Sequence, residues 1–349
     1  MEISLCMIVK DEEPTLERCL SSIKDAVDEI IIVDTGSKDK TKEIAKKFTD
    51  KVYDFKWINN FSAARNFAFS KATKDYQMWL DADDVVPNPE KIIELKEKLK
   101  VESPDIVMMK YITHFEPLHS VMRERLLKRE KNYKWEDAVH EFIPLYGIIL
   151  NSEIEIHHKK EKISETSTRN IEIYESQDKE NFTPRQIYYY ARELKDHQRW
   201  EESAKWFEKF LEKDAWQEDK IQSCLNLSTC YEKLGKDEKI LKILIKSFEY
   251  DSPRAEVCVS IGYYYKKAKD YKKALKWFEL ATNLNKDGVP GFILEDYWGY
   301  IPNIESCLMA YELGDIKKAI AFNEKAREHK ITEATESNRG FFLRQKLKL

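Results

Sequence analysis

The sequence contains few of the features that mark membrane-spanning, secreted or nucleic-acid-binding proteins. Its apolar runs fall well short of the roughly 20 residues that a membrane helix needs. Basic and acidic residues nearly balance, 59 against 63, and the net charge of −4 argues against a nucleic-acid partner. The segment Met1–Leu5 lacks the basic and apolar regions of a signal peptide. We therefore expect a cytoplasmic protein with no transmembrane segment.

Paired cysteines and glycine-rich phosphate loops are also missing. The six cysteines are scattered without a C-x-x-C pair, so we expect small buried residues rather than disulfides or a zinc site. Neither G-x-G-x-x-G nor G-x-x-x-x-G-K-[ST] occurs among the nine glycines. A metal or basic side chains would therefore have to neutralise a bound diphosphate. The same absence disfavours a nucleotidyltransferase, which usually carries such a loop.

In the first half of the chain, apolar runs that are typical of buried strands alternate with helical patterns. The runs Ile3–Val9, Glu29–Asp34 and Asp75–Leu80 fit parallel strands covered on both faces. Between the first two, apolar residues recur at helical spacing, namely Leu16, Cys19, Leu20 and Ile23. This alternation predicts an α/β fold, a Rossmann-like nucleotide-binding sheet with right-handed crossovers.

Three aspartates, Asp81, Asp83 and Asp84, directly follow the strand Asp75–Leu80. Open α/β sheets bind ligands at the carboxyl ends of their strands, and carboxylates this close repel one another unless a cation compensates them. Oxygen ligands favour Mg²⁺ or Mn²⁺, shared with a phosphate-bearing substrate. An acidic loop that caps the next helix is the alternative. Asp34, which ends a neighbouring strand in this prediction, should face the same crevice and could bind a base N–H or a ribose hydroxyl.

Several motifs, taken together and in order, resemble those of bacterial family 2 glycosyltransferases. The matching segments are Ser4–Glu13, Ile31–Thr41, Phe61–Asn66, Leu80–Asp84, Arg125–Lys128 and Trp135–Glu141. They correspond to the patterns S-x-x-x-I-V-K-N-E-E, V-D-x-G-S-x-D-x-T, F-x-x-A-R-N, L-D-A-D-[DE], R-L-F-R and W-x-G-x-V-H-E. The resemblance covers about residues 1–160 and implies a GT-A fold, a hexosyltransferase activity, a UDP-sugar donor and a divalent metal, Mn²⁺ or Mg²⁺.

The resemblance also assigns roles to individual residues. Donor binding would fall to Asp34, Asp81, Arg65, Arg125 and Lys128, and metal binding to Asp83, Asp81 and His140. Arg65 would orient the aspartates or contact phosphate, with a structural ion pair as the alternative. Lys128 stands where arginine is usual and loses the bidentate fork of a guanidinium.

The motif Trp135–Glu141 would carry the remaining chemistry. An inverting transfer needs one carboxylate to deprotonate the acceptor, and the candidates are Glu141 and Asp137. His140 would be a further metal ligand or a diphosphate contact, or a structural residue. Asp137 stands where the family has glycine, which puts the backbone conformation of this loop in doubt.

A polar segment, His157–Thr168, separates this region from the second half of the chain. It lacks apolar periodicity, and its two adjacent histidines should point in different directions, so we interpret it as a domain junction. The predicted organisation is a GT-A domain over 1–160, a linker over 161–169 and a helical domain over 170–349.

The second half is repetitive. Trp200–Phe207 recurs as Tyr271–Phe278 and Ile316–Phe322, with a weaker copy at Asp237–Leu244. The aligned positions Ser203, Ile240, Ala274 and Ala319 are 37, 34 and 45 residues apart, and small residues stand twelve positions before each of them. Close packing of two helices needs such small pairs, and the period resembles that of tetratricopeptide repeats. We therefore predict an all-α solenoid, with a loop inserted at 287–291.

A glycosyltransferase domain followed by such repeats resembles the bacterial enzymes that glycosylate a bacteriocin precursor peptide, often on cysteine. It resembles enzymes of cell-envelope polysaccharide and lipopolysaccharide core assembly almost as well. We expect a peptide or protein acceptor, because solenoids commonly hold extended peptides, with a saccharide acceptor as the alternative. The repeats could also pair copies of the chain as a homo-oligomer. A repeat scaffold with an inactive transferase domain is the competing hypothesis.

Overall fold

The computed structural model describes residues 1–113, 119–159, 167–289 and 293–346. The chain forms two compact units, Met1–Lys179 and Glu180–Leu349. Most of the predicted linker lies outside the described residues, so the domain boundaries drawn from the sequence stay a prediction.

The first unit is built on a mixed sheet, in which the described residues form eight strands. The strands are β1 Ile3–Val9, β2 Glu29–Asp34, β3 Val52–Asp54, β4 Tyr76–Trp79, β5 Asp84–Val85, β6 Ile106–Thr113, β7 His119–Lys128 and β8 Ile149–His158. Their order across the sheet is β3-β2-β1-β4-β7-β6-β8-β5. The first four are parallel, as predicted, whereas β7 runs antiparallel to both β4 and β6.

Helices accompany this sheet and complete its core. They are α1 Leu16–Ile23, α2 Thr41–Lys46, α3 Phe61–Ser70, α4 Glu90–Glu102 and α5 Arg169–Glu175. Successive strand residues point to opposite faces, so Leu5 packs in one apolar cluster and Cys6 in another. The predicted apolar face of α1 is buried in the first of these clusters. The expected α/β architecture is confirmed.

One prediction about strand order is wrong. Asp34 ends β2 and Asp81 follows β4, but these strands are not neighbours, because β1 lies between them and pairs with both. Two strand spacings separate the two carboxyl ends, or about 10 Å. The central strand β1 therefore determines which loops reach the crevice.

The second unit is helical. Its helices are α6 Pro184–Asp196, α7 Trp200–Leu211, α8 Gln217–Lys233, α9 Asp237–Lys246, α10 Ala255–Lys267, α11 Tyr271–Thr282, α12 Tyr300–Glu312, α13 Ile316–His329 and α14 Glu333–Lys346. Short 3-10 helices occur in the chain at Arg129–Lys131, Lys179–Asn181, Ser247–Glu249 and Glu295–Trp298. The repeated motifs coincide with the second helix of each successive pair, as the period predicts.

Small residues hold these pairs together. Ser203 on α7 donates its hydroxyl to the carbonyl of Ala191 on α6 at 2.8 Å. A Cβ on Gly262 of α10 would lie 2.5 Å from the ring of Phe278 on α11, so only glycine fits this approach. Part of the predicted inserted loop, Pro290 and Gly291, lies outside the described residues.

The burial of the cysteines and the hydropathy of the helices bear on two predictions from the sequence. All six cysteines are buried free thiols, which confirms their expected role as small core residues. Among the helices that the structure describes, none combines the length and the apolar character needed to cross a membrane.

Candidate active site

A cleft of about 620 Å³ opens in the first unit. Its lining comes from the loops that follow β1, β2 and β4, from α3, from the loop before Phe142, from the end of β8 and from the start of α5. The lining residues are Ile8, Val9, Lys10, Asp11, Glu12, Thr35, Trp57, Phe61, Arg65, Asp81, Ala82, Asp83, Val139, His140, Glu141, His158, Arg169 and Asn170. Eight of these 18 residues are acidic or basic and two more are histidines, which suits a polar, ionic ligand.

Two aspartates and a histidine meet at one side of the cleft. The antiparallel pairing of β5 with β8 sets Asp84 opposite His158. His158 Nδ1 lies 3.3 Å from Asp83 Oδ1 and 3.5 Å from Asp84 Oδ1. Burial lowers the pKa of His158, but the two carboxylates outweigh it and raise the pKa to about 9. Among the described residues, these three form the one group of His, Cys, Asp or Glu that could hold a metal ion.

Asp84 is the fully buried member of this group. It forms an ion pair with Arg125 at 3.0 Å and accepts from the backbone N–H of Asp81 at the same distance. The guanidinium of Arg125 lies 3.6 Å from the ring centroid of Trp79, and its side chain is 1% exposed. Arg125 therefore fixes the turn after β4 from inside the protein, and it is not among the cleft-lining residues, where donor binding would place it.

Arg65 of α3 joins the acidic turn to the loop that follows Trp135. Its Nη2 donates to Asp81 Oδ1 at 2.8 Å and its Nε to Glu141 Oε1 at 2.7 Å. The guanidinium lies 5.1 Å from the ring centroid of Trp79 and 4.7 Å from that of Trp135. Burial raises the pKa of Asp81, but the charge of Arg65 outweighs it and holds this pKa below its usual value. The roles considered for Arg65 are orientation of the aspartates, contact with phosphate and a structural ion pair. The structure contains the ion pairs.

The same helix holds the loop that carries His140 and Glu141. Asn66 and Trp135 exchange two hydrogen bonds of 2.9 Å, from Asn66 Nδ2 to the Trp135 carbonyl and from Trp135 N to Asn66 Oδ1. Phe61 N donates to the carbonyl of Ala138 at 2.8 Å. The loop is closed by a bridge between Glu136 and Phe142. Phe61 and Asn66 of the F-x-x-A-R-N motif therefore hold this loop in position through hydrogen bonds.

Asp137 does not disturb this loop. Its φ is +67°, within the left-handed region that glycine favours and that aspartate tolerates better than most residues. Its carbonyl accepts the hydroxyl of Ser62. The conformation that a glycine would take is thus kept, and Asp137 is absent from the cleft lining, whereas Glu141 and His140 belong to it.

The other predicted site residues lie in different environments. Asp34 is buried, and its carboxylate accepts from the backbone of Gly36 at 3.0 Å and Ser37 at 3.1 Å. The structure does not bring Lys128, a predicted donor-binding residue, into the cleft lining. Because β7 runs antiparallel to β4, Lys128 lies opposite Tyr76 at the start of β4, roughly 16 Å along the strand from Asp81 at 3.3 Å per residue. It pairs there with Glu130 at 2.7 Å.

Two segments of the chain match known protein families. Residues 4–152 match the model of glycosyl transferase family 2, and residues 255–287 match a tetratricopeptide repeat. Residues 4–152 are therefore a family 2 glycosyltransferase domain. The mixed sheet of the first unit is accordingly a GT-A-like fold, and the helical unit is tetratricopeptide-repeat-like, as the sequence predicts.

Curated relatives match parts of the chain. Glycosyltransferase SunS of Bacillus subtilis is 30% identical over 210 residues, which cover 55% of this chain and 49% of SunS. A TPR repeat-containing protein of Synechococcus elongatus is 52% identical over 83 residues, which cover 24% of this chain and 21% of that protein. The chain thus spans half or less of the length of these relatives.

Solved structures resemble the chain less closely. S. aureus TarS, residues 1–349, in complex with UDP-GlcNAc superposes with a TM-score of 0.40 and 12% identity, over 94% of this chain and 92% of TarS. A TM-score this low does not establish a common overall arrangement. The fold assignment rests instead on the sheet and on the family match.

One residue of the cleft, His158, is missed by motif reasoning. The sequence pattern places His158 in a polar domain junction, but β8 extends through it, which corrects that interpretation. The signal was present in the alternation of the strand, because Ile154 and Ile156 are buried and His158 follows on the same face. The residue lies beyond the segment that matches the family model, so no motif pointed to it.

Proposed function

We propose that this protein is a metal-dependent, inverting glycosyltransferase that transfers a sugar from a UDP-sugar to a peptide or protein. The observation that carries the proposal is the meeting, in one cleft of a family 2 domain, of a candidate metal site and a carboxylate base. Asp83 and His158 form the first, Glu141 is the second, and Arg65 links Glu141 to the acidic turn at Asp81.

The donor set suits Mn²⁺ or Mg²⁺. Asp83 and His158 are about one-fifth exposed at their side chains, 20% and 18%, and can reach a ligand in the cleft. Asp84 is already held by Arg125, so it supports the other two. A divalent ion bound here would neutralise the diphosphate of the donor. Binding requires neutral imidazole, so His158 would have to be deprotonated to hold the ion.

The chain's own residues account for the transfer. The acceptor atom attacks the anomeric carbon, the bond from that carbon to the β-phosphate oxygen breaks, and its electron pair leaves with the nucleoside diphosphate. The proton of the acceptor passes to Glu141, a cleft-lining carboxylate whose position is fixed by Arg65. Asp137 is the weaker candidate for this role, because it is not among the residues that line the cleft.

The acceptor is the least constrained part of the proposal. Tetratricopeptide repeats present extended surfaces on which a peptide gains affinity and orientation. A cysteine acceptor needs less help from a base than a serine does, because thiolate is accessible near neutral pH. A cell-envelope saccharide is the alternative acceptor.

The proposal is tested by incubating the protein with UDP-glucose or UDP-N-acetylglucosamine and measuring UDP release with Mn²⁺, with Mg²⁺ and with EDTA. We expect release only with metal, and its loss in Asp83→Ala. Asp25→Ala removes an exposed aspartate of the same unit and is the matched control, with unchanged turnover. Full activity in EDTA would refute metal dependence. Failure to bind any nucleotide sugar would favour the inactive scaffold.

A further inference from the structure

The cleft is lined by three lysine and arginine side chains, and one of them, Arg169, lies outside the family motifs. Lys10, Arg65 and Arg169 line it, and Arg65 is engaged by Asp81 and Glu141. Within the described residues, Lys10 and Arg169 have no carboxylate partner. Of the lysine and arginine side chains that line the cleft, these two are therefore available to bind an anionic ligand.

Arg169 belongs to α5, outside the segment that matches the glycosyltransferase family. Its guanidinium lies 4.7 Å from the ring centroid of Phe61, and Phe61 packs against Trp57 at 4.8 Å between ring centroids. A guanidinium stacked on an aromatic face keeps its N–H groups free around its edge. The aromatic pair thus holds a flexible side chain in a defined position beside the cleft.

The helix that carries Arg169 is itself anchored to the site loop. Tyr174 is buried, and its ring lies 6.3 Å from that of His140 in a stacked arrangement. Its hydroxyl lies 3.5 Å from the carbonyl of Val139. Ile171 and Ile173 are also buried. Arg169 is therefore supplied by a fixed helix, although it comes from a part of the chain far from the family motifs in sequence.

The proposed reaction needs such a charge. When the glycosidic bond breaks, the nucleoside diphosphate gains a negative charge, and groups placed in advance around that charge stabilise the transition state. The ion at Asp83 and His158 would have to balance the carboxylate of Asp83 as well as the phosphates. Arg65 cannot contribute fully, because two carboxylates already neutralise it.

We infer that Arg169 binds the diphosphate of the donor and stabilises the charge that develops on the leaving group, so that α5 completes the donor site. This inference rests on the proposed function. It adds a donor-binding residue from outside the family domain. Lys10 would assist from the loop after β1, but among the described residues it stacks on no aromatic ring, whereas Arg169 lies on Phe61, so Arg169 carries the larger effect.

The test uses the full chain and compares the affinities for uridine, UMP and UDP in Mg²⁺, measured by calorimetry, for wild type, Arg169→Gln and Arg169→Lys. Loss of one charge-assisted contact corresponds to about a 10- to 100-fold weaker UDP complex in Arg169→Gln. Uridine should bind equally to all three proteins, and Arg169→Lys should retain part of the UDP affinity. Arg129→Ala, which removes an exposed arginine beside Lys128, is the matched control and should bind UDP like wild type.

The outcomes separate this inference from the proposed function. If wild type binds UDP and Arg169→Gln binds it equally well, the role of Arg169 is refuted and the glycosyltransferase proposal stands. If wild type binds none of UDP, GDP, CDP and ADP with Mg²⁺ or Mn²⁺, both are refuted. A second variant, Phe61→Leu, removes the aromatic surface under the guanidinium and should weaken UDP by a smaller factor without affecting uridine. Equal losses for uridine and UDP in either variant would indicate a structural role and refute the inference.

Discussion

Arg65 Nε and Glu141 Oε1 lie 2.7 Å apart, which ties the arginine of one family motif to the glutamate of another. The same guanidinium reaches Asp81. A single planar group with several N–H donors can serve both carboxylates at once. The separation between the acidic turn and the candidate base is thus set by one side chain.

The first prediction follows from this bridge. Arg65→Lys keeps the charge but offers a single ammonium, which cannot serve two carboxylates in this geometry. We expect kcat to fall by about 100-fold, the order of effect that a misplacement of about 1 Å can have, while the protein remains folded. Steady-state kinetics of UDP release would measure the loss. Arg339→Lys, a change at an exposed position of α14 outside the cleft lining, should leave kcat near wild type, and retention of full activity in Arg65→Lys would contradict the bridge.

The second prediction separates the two candidate histidines at the metal site. His158 lies next to Asp83, whereas His140 is not part of the acidic group. We expect His158→Ala to weaken Mn²⁺ binding by at least about 10- to 100-fold, the range found for the loss of a residue that supports a metal ligand, and His140→Ala to change it little. Electron paramagnetic resonance titration of Mn²⁺ gives the affinity without relying on turnover. The reverse order would restore His140 as the metal ligand that the sequence indicated.

The two histidines also show what could be predicted from the sequence. The bounds of β1 and β2 followed from apolar runs that end in polar residues, because burial on both faces is visible locally. The antiparallel part of the sheet was not predictable in the same way. The contact of Asp84 with Arg125 joins residues 41 positions apart, and the place of Lys128 depends on the direction of β7. Motifs supplied residue types, and pairing between distant strands decided which of them reach the cleft.

The third prediction concerns stability at the opposite end of the sheet. Burial raises the pKa of Glu29, but hydrogen bonds from Lys51, Ser4 and Thr73 outweigh it and lower the pKa to about 2. A lowered pKa means that the unfolded chain binds the proton more readily, so the stabilisation is present above the ordinary value of 4.5 and lost as the pH falls toward 2.

Glu29→Gln should therefore lower the free energy of unfolding at pH 7 by about 2 kcal/mol, the scale of hydrogen bonds to a charged group. The gap from wild type should shrink when urea unfolding is repeated at progressively lower pH through the acidic range. Glu43→Gln, an exposed glutamate on α2, should follow wild type throughout. A gap that stays constant with pH would show that the charge of Glu29 is not the cause.

The fourth prediction concerns the repeats. Gly262→Ala would place a Cβ 2.5 Å from the ring of Phe278, and overpacking of this kind costs about 1–3 kcal/mol. Gly340→Ala is the matched control, because the nearest atom there is 3.6 Å away at the end of a flexible arginine. Alanine at that helical position should be neutral or stabilising by up to about 1 kcal/mol. Thermal unfolding followed by circular dichroism compares the two, and equal melting temperatures would refute the close packing of α10 on α11.

The last prediction addresses the base and the acceptor together. Glu141→Gln keeps the shape of the side chain and an oxygen for Arg65, but it removes the carboxylate that would take the acceptor's proton. With a serine-containing peptide we expect transfer to fall by about 10²- to 10⁴-fold, the usual contribution of a general base. With the cysteine counterpart the loss should be smaller, because a fraction of the thiol is already thiolate near neutral pH.

Radiolabelled UDP-glucose and UDP-N-acetylglucosamine, offered with peptides encoded beside the gene and with saccharide primers, would reveal the acceptor class. Glu136→Gln removes the charge of an exposed glutamate in the same loop and is the control for a general loss of negative charge. Equal losses for serine and cysteine would mean that Glu141 acts through Arg65 on the donor rather than as the base. Transfer to saccharides alone, unaffected by substitutions in the repeats, would overturn the peptide acceptor, because a small sugar has no need of the extended surface that the repeats provide.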